Sequence, residues 1–353
     1  MSPVMMMQML MGSVSGISLQ LLCWLCIVGV ATVSSVRPPA VSKESTPVAL
    51  DPDQTSFAFT RSIELYTSGN ESSDGIVRAE RIRNWSRWHF EESVGSDSQT
   101  SCFVRELLSR LELFDVGGGY FRVGQFMAQY KQYKQFLDCS EQEVNDLADK
   151  LERHSGLHDC DAIFRVFKES ILEPAELLRK LFLLDPESAS TVRSYMGSAI
   201  RQLNESVFEY CENKFYNDKR DIWCAARNYS IPEDKDFHRH IECIFNGLHY
   251  FNRRGDLDVD EICRDFHQVG ITDLDNEVSE VLRSCDVNPE TKALSYYRCI
   301  LESDFLDKFK EALDYREIRS ADHFYALKVP MPVYDRNQIQ SQINSVNREC
   351  CSI

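Results

Sequence analysis

The chain has 353 residues, 43% of them hydrophobic, which is enough material for two domains with cores of their own. Its formal charge of −16 lies entirely after residue 36, because Arg37 is the first charged residue. This charge disfavours nucleic acid and anionic membranes as partners, since both bind clustered Lys and Arg, and it favours a cationic small molecule.

Residues 17–33 form an apolar run, ISLQLLCWLCIVGVATV, which is followed by the small residues Ser34 and Ser35. The pattern is typical of a signal-peptide core, so we expect residues 1–35 to be cleaved and the protein to be secreted and extracellular. An uncleaved anchor is the alternative, because no Lys or Arg precedes the run. Four glycosylation sequons agree with export: Asn70, Asn84, Asn204 and Asn228.

Residues 36–52 are rich in Pro, Ser and small residues and are predicted to be an extended leader. From Asp53 onward the apolar residues recur every three or four positions, as they do in helices, and no segment has a good hairpin pattern. We therefore predict an all-α fold. Its clearest amphipathic helix covers residues 304–318, DFLDKFKEALDYREI.

Two of the 13 cysteines, Cys23 and Cys26, lie in the apolar run, which leaves 11 for disulfides in an oxidising compartment. Three of these lie before residue 200 and eight after it. The change in density places a domain boundary near residue 203, within a helical stretch that we predict from about Ser190 to Phe215. The predicted domains are residues 53–203 and 204–353.

Short motifs argue against catalysis. His238, His240 and Cys243 have the spacing of metal ligands, but no second ligand pair accompanies them, and Cys243 suits a disulfide better. The acidic stretch from Asp256 lacks the Gly and the final Glu of a calcium loop. The sequence has no nucleophile elbow, phosphate loop or zinc-hydrolase motif, so we expect no enzyme, no metal and no cofactor. An active site without a known motif is the alternative.

Asp314 and Glu317 lie three residues apart near the end of the amphipathic helix, so both carboxylates can project to one side. Two acids in this arrangement can share one ammonium group. The spacing alone favours another interpretation, in which they are solvated surface acids that flank Arg316 and Arg319.

The second half of the chain contains a series of distinctive stretches: EYCENKFYNDKR, RNY, HIEC, DEICRDFHQV, SYYRC and FKEALDYREIRS. Together they closely resemble the long-form salivary proteins of blood-feeding mosquitoes, the D-seven family. That family has two odorant-binding-protein-like helical domains, stapled by disulfides. The resemblance is dense over residues 205–353 and weaker over 55–200, where it depends on FAFTRS, WSRW, the helix that begins near Cys102, and HDCDAIF.

In that family the C-terminal domain holds a biogenic amine in a small buried pocket. The resemblance implies that Asp314 and Glu317 bind the ammonium, and that Arg227, His240 and Tyr297 hydrogen-bond the polar edges of the aromatic amine. A carboxylate about 4 Å from the ammonium would contribute roughly 4 kcal/mol at an effective dielectric near 20. Two carboxylates would offset the lost hydration better than one.

The resemblance also implies four disulfides: Cys102 with Cys160, Cys211 with Cys243, Cys224 with Cys350, and Cys285 with Cys299. It gives no role to Cys263 and Cys351, which could pair with each other, and it leaves Cys139 unpaired.

The N-terminal domain of relatives binds lipid mediators such as cysteinyl leukotrienes or a thromboxane analogue. Trp85 and Trp88 match paired tryptophans of the family and could line such a channel, although two aromatic residues three positions apart on a helix are more often core residues. Some relatives bind adenine nucleotides. A mosquito hormone carrier of the same architecture holds juvenile hormone in this domain.

The resemblance thus implies a secreted salivary scavenger that sequesters serotonin, histamine or catecholamines and so counters host haemostasis and inflammation. A lipid mediator of the leukotriene or thromboxane type is the expected second ligand, and we expect a monomer. The alternative is a haemolymph carrier of a hydrophobic ligand such as juvenile hormone.

Overall fold

Helices form almost all of the regular structure in the computed structural model of the protein, as predicted. The structure describes residues 46–67, 75–86, 98–215, 219–323, 325, 328 and 332–351. The predicted signal peptide, most of the leader, Asn70 and Trp88 lie outside these residues. None of the described helices is both long and apolar enough to cross a bilayer.

The first half of the chain folds into eight described helices, most of which surround one hydrophobic core. Ser140 and Glu143 form a reciprocal capping box at the fifth helix, and the Asp159 side chain caps the sixth. The core includes the fully buried Ile63, Phe103 and Phe126. The helices are α1 (Pro52–Thr67), α2 (Gly75–Ser86), α3 (Ser98–Arg110), α4 (Val123–Tyr133), α5 (Glu141–Leu151), α6 (Cys160–Ser170), α7 (Pro174–Leu181) and α8 (Pro186–Met196).

The residues just before α1 are part of this fold. Leu50 is 1% exposed and belongs to the core of the first half. Its backbone N–H donates to Oε1 of Gln129 at 2.8 Å, and Nε2 of Gln129 donates to the Leu50 carbonyl at 3.1 Å. The end of the predicted leader is therefore anchored to α4 through a buried amide side chain.

A small antiparallel hairpin, which the sequence pattern did not predict, lies between α3 and α4. Strand β1 (Phe114–Asp115) pairs with strand β2 (Tyr120–Phe121). The turn between them contains three consecutive glycines, and Gly119 has a φ of +67°, where a residue with a side chain would be strained. Strands of two residues are too short to show a recognisable alternation.

The junction between the halves differs from the prediction of one helix from about Ser190 to Phe215. Helix α8 ends at Met196, a single 3₁₀ turn covers Gly197–Ala199, and the next helix begins only at Val207. Gly197 and Asn204 both adopt positive φ angles, +53° and +64°, which a continuous right-handed helix does not allow.

The second half also contains eight described helices around its own core. The amphipathic segment predicted at 304–318 is a helix from Leu306 to Ser320, and it packs against four other helices of this half. The helices are α9 (Val207–Phe215), α10 (Arg220–Arg227), α11 (Phe237–Gly247), α12 (Val259–Gln268), α13 (Asp275–Ser284), α14 (Lys292–Leu301), α15 (Leu306–Ser320) and α16 (Arg336–Cys351).

Four disulfides staple the helices. Three are the expected pairs: Cys102 with Cys160, Cys211 with Cys243, and Cys285 with Cys299. The fourth joins Cys224 of α10 to Cys351 at the end of α16, across 127 residues of sequence. Because Cys243 is bonded to Cys211, it is not a metal ligand beside His238 and His240.

The expected Cys224–Cys350 pair is therefore wrong, and so is a pair between Cys263 and Cys351. Neighbouring residues on a helix point about 100° apart, so only one of the two final cysteines of α16 can face Cys224. Cys350 is a half-buried free thiol, and burial raises its pKa. Cys263 is free and packed into the core of the second half, and Cys139 is also free.

Polar and charged groups join the two halves. Asp53 of α1 accepts a hydrogen bond from Nε of Arg201 in the junction at 2.8 Å, and its other oxygen lies 3.2 Å from Nδ1 of His323 in the second half, whose pKa burial lowers to about 4. Glu64, also on α1, accepts a hydrogen bond from Arg264 of α12 at 3.1 Å. Loss of one member of such a pair leaves an uncompensated buried charge, so these contacts strongly constrain how the halves pack.

The disulfide of α16 yields a direct chemical prediction. Alkylation of the denatured but unreduced protein should modify Cys139, Cys263 and Cys350, because these are the free thiols of the described chain. After reduction and digestion, tandem mass spectrometry can locate the label within the Cys350–Cys351 sequence. A label on Cys351 would contradict the pairing.

The same pair can be tested by stability. We expect Cys351→Ser to lower the free energy of unfolding by about 3 kcal/mol, because it opens a long covalent loop. The matched variant Cys350→Ser should lower it by less than about 1 kcal/mol, since it removes only a half-buried thiol. Disulfide mapping of the first variant would detect any replacement bond to Cys350.

Candidate functional site

Helix α15 carries the two acids singled out from the sequence and turns both toward the interior. Glu317 is 5% exposed and Asp314 is half-buried. Arg316 and Arg319 are also buried, at 6% and 5% exposure. The interpretation of these residues as a solvated surface cluster is therefore wrong.

Arg227, the last residue of α10, links three elements of the site. Its Nη1 donates to Glu317 at 2.8 Å, and its Nε and Nη2 donate to the two carboxylate oxygens of Glu212 on α9 at 2.6 and 3.0 Å. Nη1 also approaches Oδ1 of Asn347 on α16 at 3.3 Å. A guanidinium has a planar fork of donors, which suits this two-sided arrangement and which a lysine could not reproduce.

Asp314 is bound by a different group, the phenol of Tyr229. The Tyr229 hydroxyl donates to Oδ1 of Asp314 at 2.5 Å. Tyr229 follows α10 by two residues and has a φ of +53°, so the chain turns sharply there and brings the ring back over α15. The ammonium of Lys310 lies 5.7 Å from the centre of that ring.

Two further residues expected at the site lie at its apolar end. Tyr297 of α14 is 3% exposed, and its hydroxyl lies 3.4 Å from the carbonyl oxygen of Ala226, next to Arg227. His240 of α11 is fully buried. Burial, and the nearby charge of Arg227, lower the pKa of His240 to about 4, so its ring is neutral at physiological pH.

Burial makes both acids of α15 weak. It raises the pKa of Glu317 to about 7, against the opposing charge of Arg227, and it raises the pKa of Asp314 to about 6, against the hydrogen bond from Tyr229. The pKa of Glu212 is raised by burial as well. All three carboxyl groups would ionise more readily if another cation were close to them.

The charges of the site do not balance. Glu212, Asp314 and Glu317 are three carboxylates around one bound guanidinium, that of Arg227. Lys310 is the nearest additional cation, and it extends toward the surface. In a buried setting, such a cluster of acids favours a positively charged guest.

Sequence reasoning missed Glu212, which is the strongest partner of Arg227. A glutamate between Cys211 and the polar end of α9 has the appearance of a surface residue. The only signal for it is indirect: a buried arginine that has one known acid partner and two unused donors requires a second acceptor. Sequence reasoning also missed Asn347, because it lies on α16, far from Arg227 in sequence.

The space beside the site is small. A cavity of about 10 Å³ lies against Tyr297 and Ala226, with room for about one water molecule. Its other walls are aromatic and aliphatic, namely Phe208, Ile241, Ile244, Phe245, Tyr250 and Leu313. An aromatic amine could enter only if these side chains and Arg227 moved.

A much larger cleft, of about 1150 Å³, opens between the two halves. Arginines and acids both line it, including Arg239 and Arg254 of the second half and Asp115 and Arg122 of the first. Several of these charges already pair with each other, as Arg253 does with Glu112 at 2.5 Å. The cleft is polar and mixed in sign, unlike the acidic site at α15.

Trp85, expected at a lipid channel, has the contacts of a core residue. It is 2% exposed and stacks on Phe103, with ring centroids 4.3 Å apart, and its Nε1 donates to Oγ1 of Thr100 at 3.3 Å. The other residue of the predicted pair, Trp88, lies outside the described residues.

Comparison with known proteins gives this geometry a family context. Residues 197–303 match the model of the PBP/GOBP family. The chain is 33% identical over 310 residues to the long form salivary protein D7L1 of Aedes aegypti, an alignment that covers 85% of this chain and 92% of the relative. The chain belongs to the long-form D7 salivary protein family. Proteins of this family bind small molecules and have the two-part helical fold described above.

Solved structures of D7 proteins agree in fold and carry ligands. The D7 long form 1 of Culex quinquefasciatus in complex with ADP superimposes with a TM-score of 0.75 at 25% identity, over 86% of this chain and 99% of that one. The AeD7–leukotriene E4 complex gives a TM-score of 0.70 at 28% identity, over 81% and 95%. A mosquito juvenile hormone-binding protein, at 18% identity and a TM-score of 0.59, shares the fold alone.

Proposed function

We propose that this protein is a secreted, extracellular scavenger that sequesters biogenic amines such as serotonin, histamine or catecholamines in its C-terminal domain, residues 204–353. Relatives are named salivary proteins, which supports secretion into saliva and a role against host haemostasis and inflammation. The protein acts as a stoichiometric binder without turnover and as a monomer.

The observation that carries this proposal is the excess of buried acid at α15. Asp314 and Glu317 lie one turn apart on the interior side of the helix. Glu317 shares the guanidinium of Arg227 with Glu212, whereas Asp314 is bonded to the neutral phenol of Tyr229. An ammonium between Asp314 and Glu317 would contribute roughly 4 kcal/mol per carboxylate at 4 Å and an effective dielectric near 20. Tyr297 lines the apolar cavity and His240, buried and neutral, precedes the lining residue Ile241, so both are expected to approach the ring of an aromatic amine.

Binding requires the site to open, because the cavity of about 10 Å³ is too small for an aromatic ring. Glu317 is held by only one nitrogen of Arg227, whereas Glu212 is held by two. The guanidinium can therefore release Glu317 and stay on Glu212. The incoming ammonium would then replace Arg227 as the partner of Glu317, so that no acid is left unpaired.

We further propose a lipid mediator of the leukotriene or thromboxane type as a second ligand, in the N-terminal domain, residues 53–203. The AeD7–leukotriene E4 complex supports this, since that relative covers most of the present chain. The juvenile hormone-binding protein supports only the fold, so a haemolymph carrier of that hormone is the less favoured alternative.

Substitutions of the acids test the amine site. We expect Asp314→Asn and Glu317→Gln each to weaken serotonin binding at least tenfold, about 1.4 kcal/mol, measured by calorimetry on the secreted protein. The matched control is Asp307→Asn, whose side chain is 95% exposed on the same helix and should not change the affinity. Unchanged affinity in both acid variants would refute the site. Any binding of leukotriene E4 should be equal in all of these proteins, because its proposed site is in the other domain.

Proton release accompanies binding. The ammonium favours the ionised acids, whose pKa values in the free protein are raised to about 6 and about 7, so binding must expel protons near neutral pH. An aliphatic ammonium remains charged over this range. We expect serotonin affinity to fall at least tenfold as the pH drops from 8 to 5.5, because both acids then become protonated.

The pH profile has an internal control. Glu317→Gln should remove the part of the decline nearest pH 7 and leave the part nearest pH 6, which belongs to Asp314. His240 does not contribute, since its pKa is lowered to about 4. An affinity that is constant between pH 8 and 5.5 would exclude the two carboxylates as ligands of the amine.

A further inference from the structure

A second small cavity, of about 50 Å³, lies where the two halves meet and is separate from the acids of the amine site. Arginines dominate its charged walls: Arg61 of α1, Arg201 of the junction, Arg264 of α12, and Arg316 and Arg319 of α15. Its volume is enough for a few water-sized spheres, each of which needs about 10–15 Å³. It is therefore large enough for a small ion and too small for an organic ligand.

The charges around this cavity leave a positive excess. Arg61, Arg264, Arg316 and Arg319 are four guanidinium groups, and the carboxylates bonded to them are three: Glu64, Glu261 and Asp265. The arginines hold the pKa of Glu64 and of Glu261 below its usual range against the effect of burial, so these acids are ionised. Among the described residues, this cluster has one positive charge without an acid.

The neighbouring groups do not supply the missing negative charge. The hydroxyl of Tyr325 donates to Glu64 and accepts from Arg264 and Arg319, as a neutral phenol does. Asp322 also lines the cavity, but it forms an ion pair with Lys328. Asp53 is bonded to two arginines of its own, Arg193 and Arg201.

Two of the lining arginines also retain unused donors. Arg316 and Arg319 are each more than nine-tenths buried. Their Nε groups have no hydrogen-bond acceptor within the part of the chain that the structure describes. A buried guanidinium N–H usually finds an acceptor, and here the empty volume lies beside the groups that need one.

The geometry points to a structural anion site: the cavity binds one small monovalent inorganic anion, of halide size, between Arg61 of the first half and the arginines of α12 and α15 in the second. The ion neutralises the cluster and accepts hydrogen bonds from guanidinium N–H groups. Because its ligands come from both halves, the ion stabilises their association. This inference does not depend on the amine proposal.

Halide dependence of stability tests the site on the full secreted protein. At constant ionic strength, replacing sodium gluconate with sodium chloride should raise the Tm by about 2–4 °C, because chloride fits the cavity and gluconate does not. Crystals soaked in bromide should show an anomalous peak within hydrogen-bond distance of Arg316 or Arg319. Equal Tm values in the two salts, or no bromide in the cavity, would overturn the proposal.

A pair of variants separates this site from a general salt effect. Arg319→Gln balances the cluster at three arginines and three acids and should abolish the difference between chloride and gluconate. Arg254→Gln, at a side chain that is 85% exposed, should keep the full difference. If Arg319→Gln folds and keeps the difference, the cavity is not the site. If it does not fold, the measurements on the unaltered protein decide the question.

Discussion

The guanidinium of Arg227 is the contact on which the C-terminal half depends. It lies buried between Glu212 of α9 and Glu317 of α15, and it also reaches Asn347 of α16. One side chain thus connects the ends of four helices, and it does so with charges that would be costly to bury singly. Its two acids are unequal partners, since one is held by two nitrogens and the other by one.

In the proposed amine site, this inequality would let Arg227 release Glu317 to a guest while it stays bound to Glu212. The cavity beside Tyr297 has a volume of only about 10 Å³, so its apolar walls pack closely. Burial raises the pKa of both acids of α15, so a cation placed beside them would favour their ionised forms.

Much of this could be predicted from the sequence, and the failures have physical causes. The helical period located α15 to within two residues, and the family resemblance selected Asp314, Glu317 and Arg227, which the structure brings together. Glu212 could not be found, because burial of a single glutamate depends on packing between distant helices. The choice between Cys350 and Cys351 depends on the rotational phase of α16, which no residue pattern reveals. Arg316 and Arg319 are buried because α12, distant in sequence, packs on α15 and supplies the acids Glu261 and Asp265 that pair with them.

Helix α15 has charged contacts on two sides. One side carries the acids that face Arg227 and Tyr229, and the other carries arginines bonded to α12 and, through Tyr325, to Glu64 on the first helix of the chain. A rigid helix cannot shift at one face and stay still at the other. Any rearrangement of α15 that admits a guest must therefore disturb the contacts between α15 and the first half of the chain. By thermodynamic reciprocity, a ligand that alters those contacts must change the affinity for the guest.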